Sequence, residues 1–139
     1  QPEPRLRVIF GHSLGGGVAV ELASRMRHGS DYAALILEST FTSLPDVASA
    51  AGWLGPLVAL FASQKFDSAG KIAKVDAPIL MLHGAADQTV PVVLGRQLRD
   101  AARKDTRWVE ISGGSHSTLH SDAPEAYQQA LKQLIAQLD

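Results

Sequence analysis

The sequence predicts an α/β fold in three layers: a mostly parallel sheet of about four strands flanked by helices, with a short helical cap insertion. Three observations predict it. Short, wholly apolar runs such as Val8-Ile9-Phe10 and Ala33-Ala34-Leu35-Ile36-Leu37 read as strands covered on both faces. Segments with helical periodicity alternate with those runs, which implies parallel strands with helices on both sides. The chain has 139 residues, one domain's worth, and a chain of that size buries roughly two-thirds of its unfolded surface.

The elements follow in order. Gln1 to Pro4 is a polar lead-in and Arg5 to Phe10 the first strand. Leu14 to His28 is a helix on which Val18, Leu22 and Met26 repeat at i, i+4, i+8, with Ala19 and Ala23 beside them. Arg25, Arg27 and His28 suit its negative end, and Gly29 is placed as its C-cap. Ala33 to Leu37 is the second strand. Residues 42–74 read as an irregular helical insertion, since a linker would not carry so much apolar surface. It opens at Ser43, an N-cap with Asp46 three positions on, continues through Trp53, Leu54, Leu57, Val58, Leu60 and Phe61, and closes in a turn at Phe66 to Gly70. Trp53 and Phe61 are read as cap core rather than an aromatic ligand cage. Pro78 to His83 is the third strand, Pro91 to about Lys104 a helix with Leu94, Leu98 and Ala101 on one face, and Arg107 to Ile111 a fourth strand whose alternation suits a sheet edge. A polar loop from Ser112 to Ser121 precedes a last helix with Tyr127, Leu131, Leu134, Ile135 and Leu138 on its face.

Composition narrows the function. Hydrophobic content is 45%, charged content 19% and formal net charge −1, an ordinary globular balance that gives no support for nucleic acid or a polyanionic partner. There is no cysteine, so disulfide and thiolate chemistry are excluded. The longest apolar stretch, Ala50 to Ala62, contains Gly52, Gly55 and Pro56 and is too short to span a bilayer. The five histidines show no zinc-hydrolase spacing, and no metal site is expected.

The chemistry is concentrated where strands end. Gly11-His12-Ser13-Leu14-Gly15 fits G-x-S-x-G between a strand and a helix, the setting of a nucleophile elbow. On so sharp a turn side chains would collide, so Gly11 and Gly15 are both expected to be required. A serine hydroxyl is a poor nucleophile until a base takes its proton, and the base works best when a carboxylate orients it. Asp87 follows the third strand in His83-Gly84-Ala85-Ala86-Asp87, and His116 follows the fourth in Gly113-Gly114-Ser115-His116. Ser13, Asp87 and His116 are thereby expected at one edge of the sheet, where ligand sites of open α/β folds form. Glu38, after the second strand, is a rival acid, and His120 a rival base. His12 is either structural or lines the pocket, His83 reads as a satisfied strand-end histidine, and His28 lies on the helix surface. A phosphate-binding reading is disfavoured, because Gly11 to Gly17 contains neither G-x-G-x-x-G nor a P-loop lysine.

These motifs resemble those of the α/β-hydrolase superfamily, in its branch of small serine esterases, lipases and peptidase-like hydrolases. Gly11-His12-Ser13-Leu14-Gly15-Gly16 matches G-H-S-x-G-G, and His83 to Pro91 matches H-G-x-x-D-x-x-V-P at every fixed position. Gly113 to His116 resembles the family's glycine-rich histidine loop, and Leu37 to Leu44 its segment after the second strand read here. The resemblance implies a serine hydrolase of the carboxylesterase or lipase kind. It would cleave an ester, thioester or amide of a small acyl substrate through a Ser13, His116, Asp87 triad and an acyl-enzyme, with the Leu14 N–H in the oxyanion hole and no cofactor. It also implies a partial fold: the family's sheet has earlier strands, and an earlier loop supplies a second oxyanion donor. The alternative is a truncated, non-catalytic or partner-dependent half-domain. Either way, Val8 to Phe10 is expected to present an open strand edge, a site for self-association.

Overall fold

The computed structural model describes residues 3, 7–52 and 65–138, and the expected helical stretch from Trp53 to Phe61 lies outside them. Four strands form one parallel sheet in the order β1 (Val8–His12), β2 (Ala34–Glu38), β3 (Ile79–Gly84) and β4 (Arg107–Ile111). The register pairs Gly11 with Leu37, Leu37 with Met81, and Met81 with Trp108. Every residue of β2 and β3 is buried, as their unbroken apolar runs demand, whereas β4 buries only Ile111, as befits an edge.

Helices cover both faces. On one, Leu35, Leu37, Ile79 and Met81 pack against α1 (Leu14–Arg25) and against Leu98 of α3 (Val92–Ala101). On the other, Ala34, Ile36, Leu80 and Leu82 meet Leu119 of α4 (Leu119–Asp122) and Ala130 and Leu134 of α5 (Pro124–Gln137). A third cluster forms beyond the carboxyl ends of the strands. There Leu44 and Val47 of α2 (Leu44–Ala51) join Phe41, Val90 and Leu94, with Leu14 and Phe66 against them. Ser43 caps α2 as expected, its hydroxyl accepting the Asp46 N–H at 3.2 Å, and Gly52 ends the helix at φ 68°.

Four expectations are corrected. The ridge of α1 that meets the sheet is Gly16, Gly17, Ala19, Val20 and Ala23, while Val18 and Leu22 are 55% and 47% exposed. Small side chains let the helix lie close to the sheet, so the buried face is the one with least bulk. Gly29 is not the C-cap: α1 ends at Arg25, and Gly29 serves at φ 81° in the following turn, where the Asp31 carboxylate accepts the Arg27 N–H. The polar loop after β4 contains the short helix α4, and Ile135 of α5 faces solvent rather than the core. Among the described residues no helix is long and apolar enough to cross a membrane.

Candidate active site

The sheet ladder runs one residue beyond the strands and fixes where the loops begin. Ser13 N–H donates to the Glu38 carbonyl at 2.8 Å, Ser39 N–H to Leu82 at 2.9 Å, and Ala85 N–H to Ile111 at 2.9 Å. Ser13, Ser39 and Ala85 therefore stand side by side at the carboxyl edge.

Ser13 adopts φ 52°, ψ −120°, a conformation that side chains seldom take and that costs about 1–3 kcal/mol. Its surroundings leave it no alternative. The Ser13 N–H is tied to β2 and its carbonyl accepts the Gly16 N–H at 2.9 Å. A Cβ on Gly11 would lie 2.7 Å from Ala19 Cβ, the Gly15 carbonyl and Gly16 Cα, so glycine is obligatory there. Gly15 is different. A Cβ there meets nothing within 4 Å, and the expectation that Gly15 is sterically required is wrong. The constrained position is Gly16, whose Cβ would strike Thr40 at Oγ1, Cγ2 and Cβ. Leu14 opens α1, so its N–H has no partner within the helix and points from the helix's positive end.

Asp87 is buried and fully engaged. Its Oδ1 accepts the N–H groups of Thr89 at 2.9 Å and Val90 at 2.7 Å, and its Oδ2 accepts His116 Nδ1–H at 2.8 Å. Burial pushes its pKa up, but the bonds from His116, Val90 and Thr89 outweigh that and hold the carboxyl below its usual range. Because Asp87 takes the Nδ1 proton, neutral His116 carries its lone pair on Nε2. His83 braces the same turn from behind: its Nε2–H donates to the Val90 carbonyl at 2.8 Å, and Asp87 Oδ2 is 3.5 Å away. Burial depresses the His83 pKa, so the contact with Asp87 is not an ion pair between charged groups. His83 is the satisfied strand-end histidine expected from the sequence.

The structure thus brings His116 onto Asp87. It does not bring Ser13 Oγ into a hydrogen bond, either with His116 or as a cap of α1. The link between the two is through the neighbouring residue. His12 Nε2 reaches the His116 backbone carbonyl at 3.0 Å, and the two imidazoles lie 4.9 Å apart. The rivals point elsewhere. The Glu38 carboxylate accepts the Tyr127 hydroxyl at 3.2 Å, an environment of burial and negative charge that pushes the Tyr127 pKa up to about 12. His120 is exposed on α4 with its ring against Tyr127.

Two contributors escaped the sequence reading. Ser39, fully buried at φ 56°, donates its hydroxyl to the His116 carbonyl at 2.8 Å. Asp122 gathers the histidine loop, accepting Ser115 N–H at 2.9 Å and the Thr118 hydroxyl at 3.0 Å. The only sequence signal for Ser39 is a polar residue closing an apolar strand. For Asp122 it is an acid a few residues past Ser115 and Thr118.

The same arrangement of sheet and helices recurs in known proteins. The esterase domain of a Rhodothermus marinus protein superposes with a TM-score of 0.69 at 17% identity, over 91% of this chain and 59% of that one. In sequence, the chain is 29% identical to alpha/beta hydrolase domain-containing protein 17B of Xenopus laevis over 136 residues, 96% of this chain and 43% of that protein. The chain has the fold of the α/β hydrolases. The chain is also 39% identical over 116 residues to an uncharacterised protein of Mycobacterium tuberculosis, covering 83% of this chain and 39% of that protein. It spans about two-fifths of the length of these curated relatives. No family model matches the chain.

Proposed function

We propose that the chain carries the catalytic machinery of a serine hydrolase acting on an ester, thioester or amide, with a carboxylic ester as the leading class. The observation that carries this reading is the 2.8 Å bond from His116 Nδ1 to buried Asp87, at the sheet edge where Ser13 is held in its strained turn. Ser13 Oγ attacks the substrate carbonyl while its proton passes to His116 Nε2. Asp87 keeps His116 in the tautomer that can accept it and stabilises the resulting imidazolium. The Leu14 N–H binds the oxyanion. When the tetrahedral intermediate collapses, the bond to the alcohol, thiol or amine breaks and His116 returns the proton to that leaving group. Water, deprotonated by His116, then releases the acid from the acyl-Ser13 ester. In the free protein Ser13 Oγ is not yet bonded to His116. Such bonds are often long without ligand and close in the substrate complex.

The resemblance of the motifs to the superfamily adds two elements to the proposal. A helical insertion that includes α2 lies within a single domain, and a second oxyanion donor joins the Leu14 N–H. Loss of one such donor costs about 10² to 10³ in turnover. The alternative is a non-catalytic or partner-dependent module.

A fluorophosphonate probe separates the two. Labelling on the peptide that contains Ser13, abolished in Ser13→Ala, is expected, together with slow turnover of p-nitrophenyl esters. An adduct on Ser39 or Ser115, or none on the folded chain, overturns the proposal.

A further inference from the structure

His116 is held at two points. One is the imidazole, through Nδ1 to Asp87. The other is the backbone carbonyl, which receives Ser39 Oγ–H at 2.8 Å and His12 Nε2–H at 3.0 Å. A carbonyl oxygen has two lone pairs, and here both are taken by side chains from the ends of β2 and β1. Neither strand is the one that delivers His116. The loop after β4 is thereby fastened to the end of β1, from which Ser13 follows, and to the end of β2 beside it.

The cost of this arrangement is visible at Ser39. It is one of three non-glycine residues with positive φ among the described residues, and its side chain is wholly buried. Glycine would take φ 56° without strain, yet it has no hydroxyl to give. Strain of this kind persists where the surroundings fix it, and it clusters at functional sites. The Ser39 N–H is locked to Leu82, which leaves the hydroxyl aimed at the histidine loop. Gly113, at φ 70°, and Gly114 precede His116; the Gly114 backbone is tied to Ile111 and Ala86, and the His116 carbonyl to Ser39 and His12.

We propose that Ser39 and His12 are positioning residues that clamp the His116 carbonyl and so set where its Nε2 stands relative to Ser13. The proposal rests on the reading of Ser13, His116 and Asp87 as the catalytic set. Loss of one neutral donor is expected to loosen His116 by a factor of about five to ten.

The test uses the whole chain and two readouts. The first is the proton NMR signal of His116 Nδ1–H, which reports the bond to Asp87 and needs no catalysis. The second is the rate of fluorophosphonate labelling at Ser13. Ser39→Gly removes the hydroxyl while suiting the backbone, so its unfolding midpoint is expected to match or exceed that of Ser39→Ala. Both variants are expected to broaden the His116 signal and to slow labelling by about five- to tenfold. His12→Phe should behave likewise, while His12→Gln, whose amide reaches where Nε2 stood, should restore the signal. An unchanged signal and rate in Ser39→Gly and His12→Phe overturn the clamp. Absence of Ser13 labelling in the unmodified chain overturns the catalytic reading instead, and the NMR signal still decides whether the carbonyl is clamped.

Discussion

Adding one methyl group at Gly15 or at Gly16 should give opposite results. Both lie in the first turn of α1, where alanine is favoured over glycine by about 1 kcal/mol. At Gly15 the added Cβ meets nothing within 4 Å, so that preference is realised and Gly15→Ala should stabilise the fold by about 0.5–1 kcal/mol. At Gly16 the methyl would lie 2.7 Å from Thr40 Cγ2 and 2.9 Å from Thr40 Cβ, and nearer still to Oγ1. Thr40 is buried and β-branched, so it cannot turn its side chain aside at little cost. Overpacking of this kind costs about 1–3 kcal/mol, and contacts with three atoms of one stiff side chain belong in the upper half of that range. After the helical preference is subtracted, Gly16→Ala should destabilise by about 1–2 kcal/mol. The two variants should therefore differ by about 1.5–3 kcal/mol in urea-induced unfolding followed by circular dichroism. If Gly16→Ala proves as stable as Gly15→Ala, the close approach of α1 to Thr40, just beyond β2, does not constrain this turn.

Two further outcomes follow from burial and from the sheet edge. His83 has a folded-state pKa below its ordinary value of about 6.5, so the unfolded chain takes up its proton first. Stability is therefore full above that value and falls as the pH drops below it towards the folded pKa, and unfolding midpoints at descending pH should fall less steeply for His83→Gln than for the unmodified chain. Among the described residues no strand pairs with the outer side of β1, where Val8 and Phe10 are 39% and 51% exposed; light scattering after size exclusion should show self-association that Phe10→Lys abolishes, and a monomer in both refutes it.

Much of the fold was legible in the sequence because its signals are local. Before Glu38 and His83 at their carboxyl ends, the runs at β2 and β3 are apolar at every position, and only a strand covered on both faces needs that. Ser43 and Asp46 announce the start of α2 through chemistry three residues apart. What misled was bulk. Val18 and Leu22 carry the helical hydrophobic period of α1, yet the buried ridge is made of glycine, alanine and one valine. Periodicity reports where large apolar residues recur, and a helix pressed close to a sheet selects small ones. The same confusion attended the glycines. The pattern G-x-S-x-G draws attention to Gly15, while the contact that excludes a side chain is made by Gly16 with Thr40, a residue 24 positions away in sequence.

The site divides along the same line. Ser13, Asp87 and His116 could be singled out because each stands in a glycine-bearing motif just past a strand. Ser39 could not, although it uses the same structural device as Ser13. Both residues are the first beyond a parallel strand, both take the adjoining strand's carbonyl with their N–H, and both hold positive φ. At Ser13 the turn continues into α1, which demands glycine at Gly11 and so writes a recognisable pattern into the sequence. At Ser39 the chain runs on into Thr40 and Phe41, where no glycine is needed, and the strain leaves no mark in the sequence. One strained serine is half-buried at the edge where a substrate would sit; the other is wholly buried with its hydroxyl turned inward to the His116 carbonyl. The two conformations together cost about 2–6 kcal/mol. A fold of this size retains such strain only if the surrounding packing fixes it, and here the buried β2 and β3 strands supply that packing directly beneath both residues.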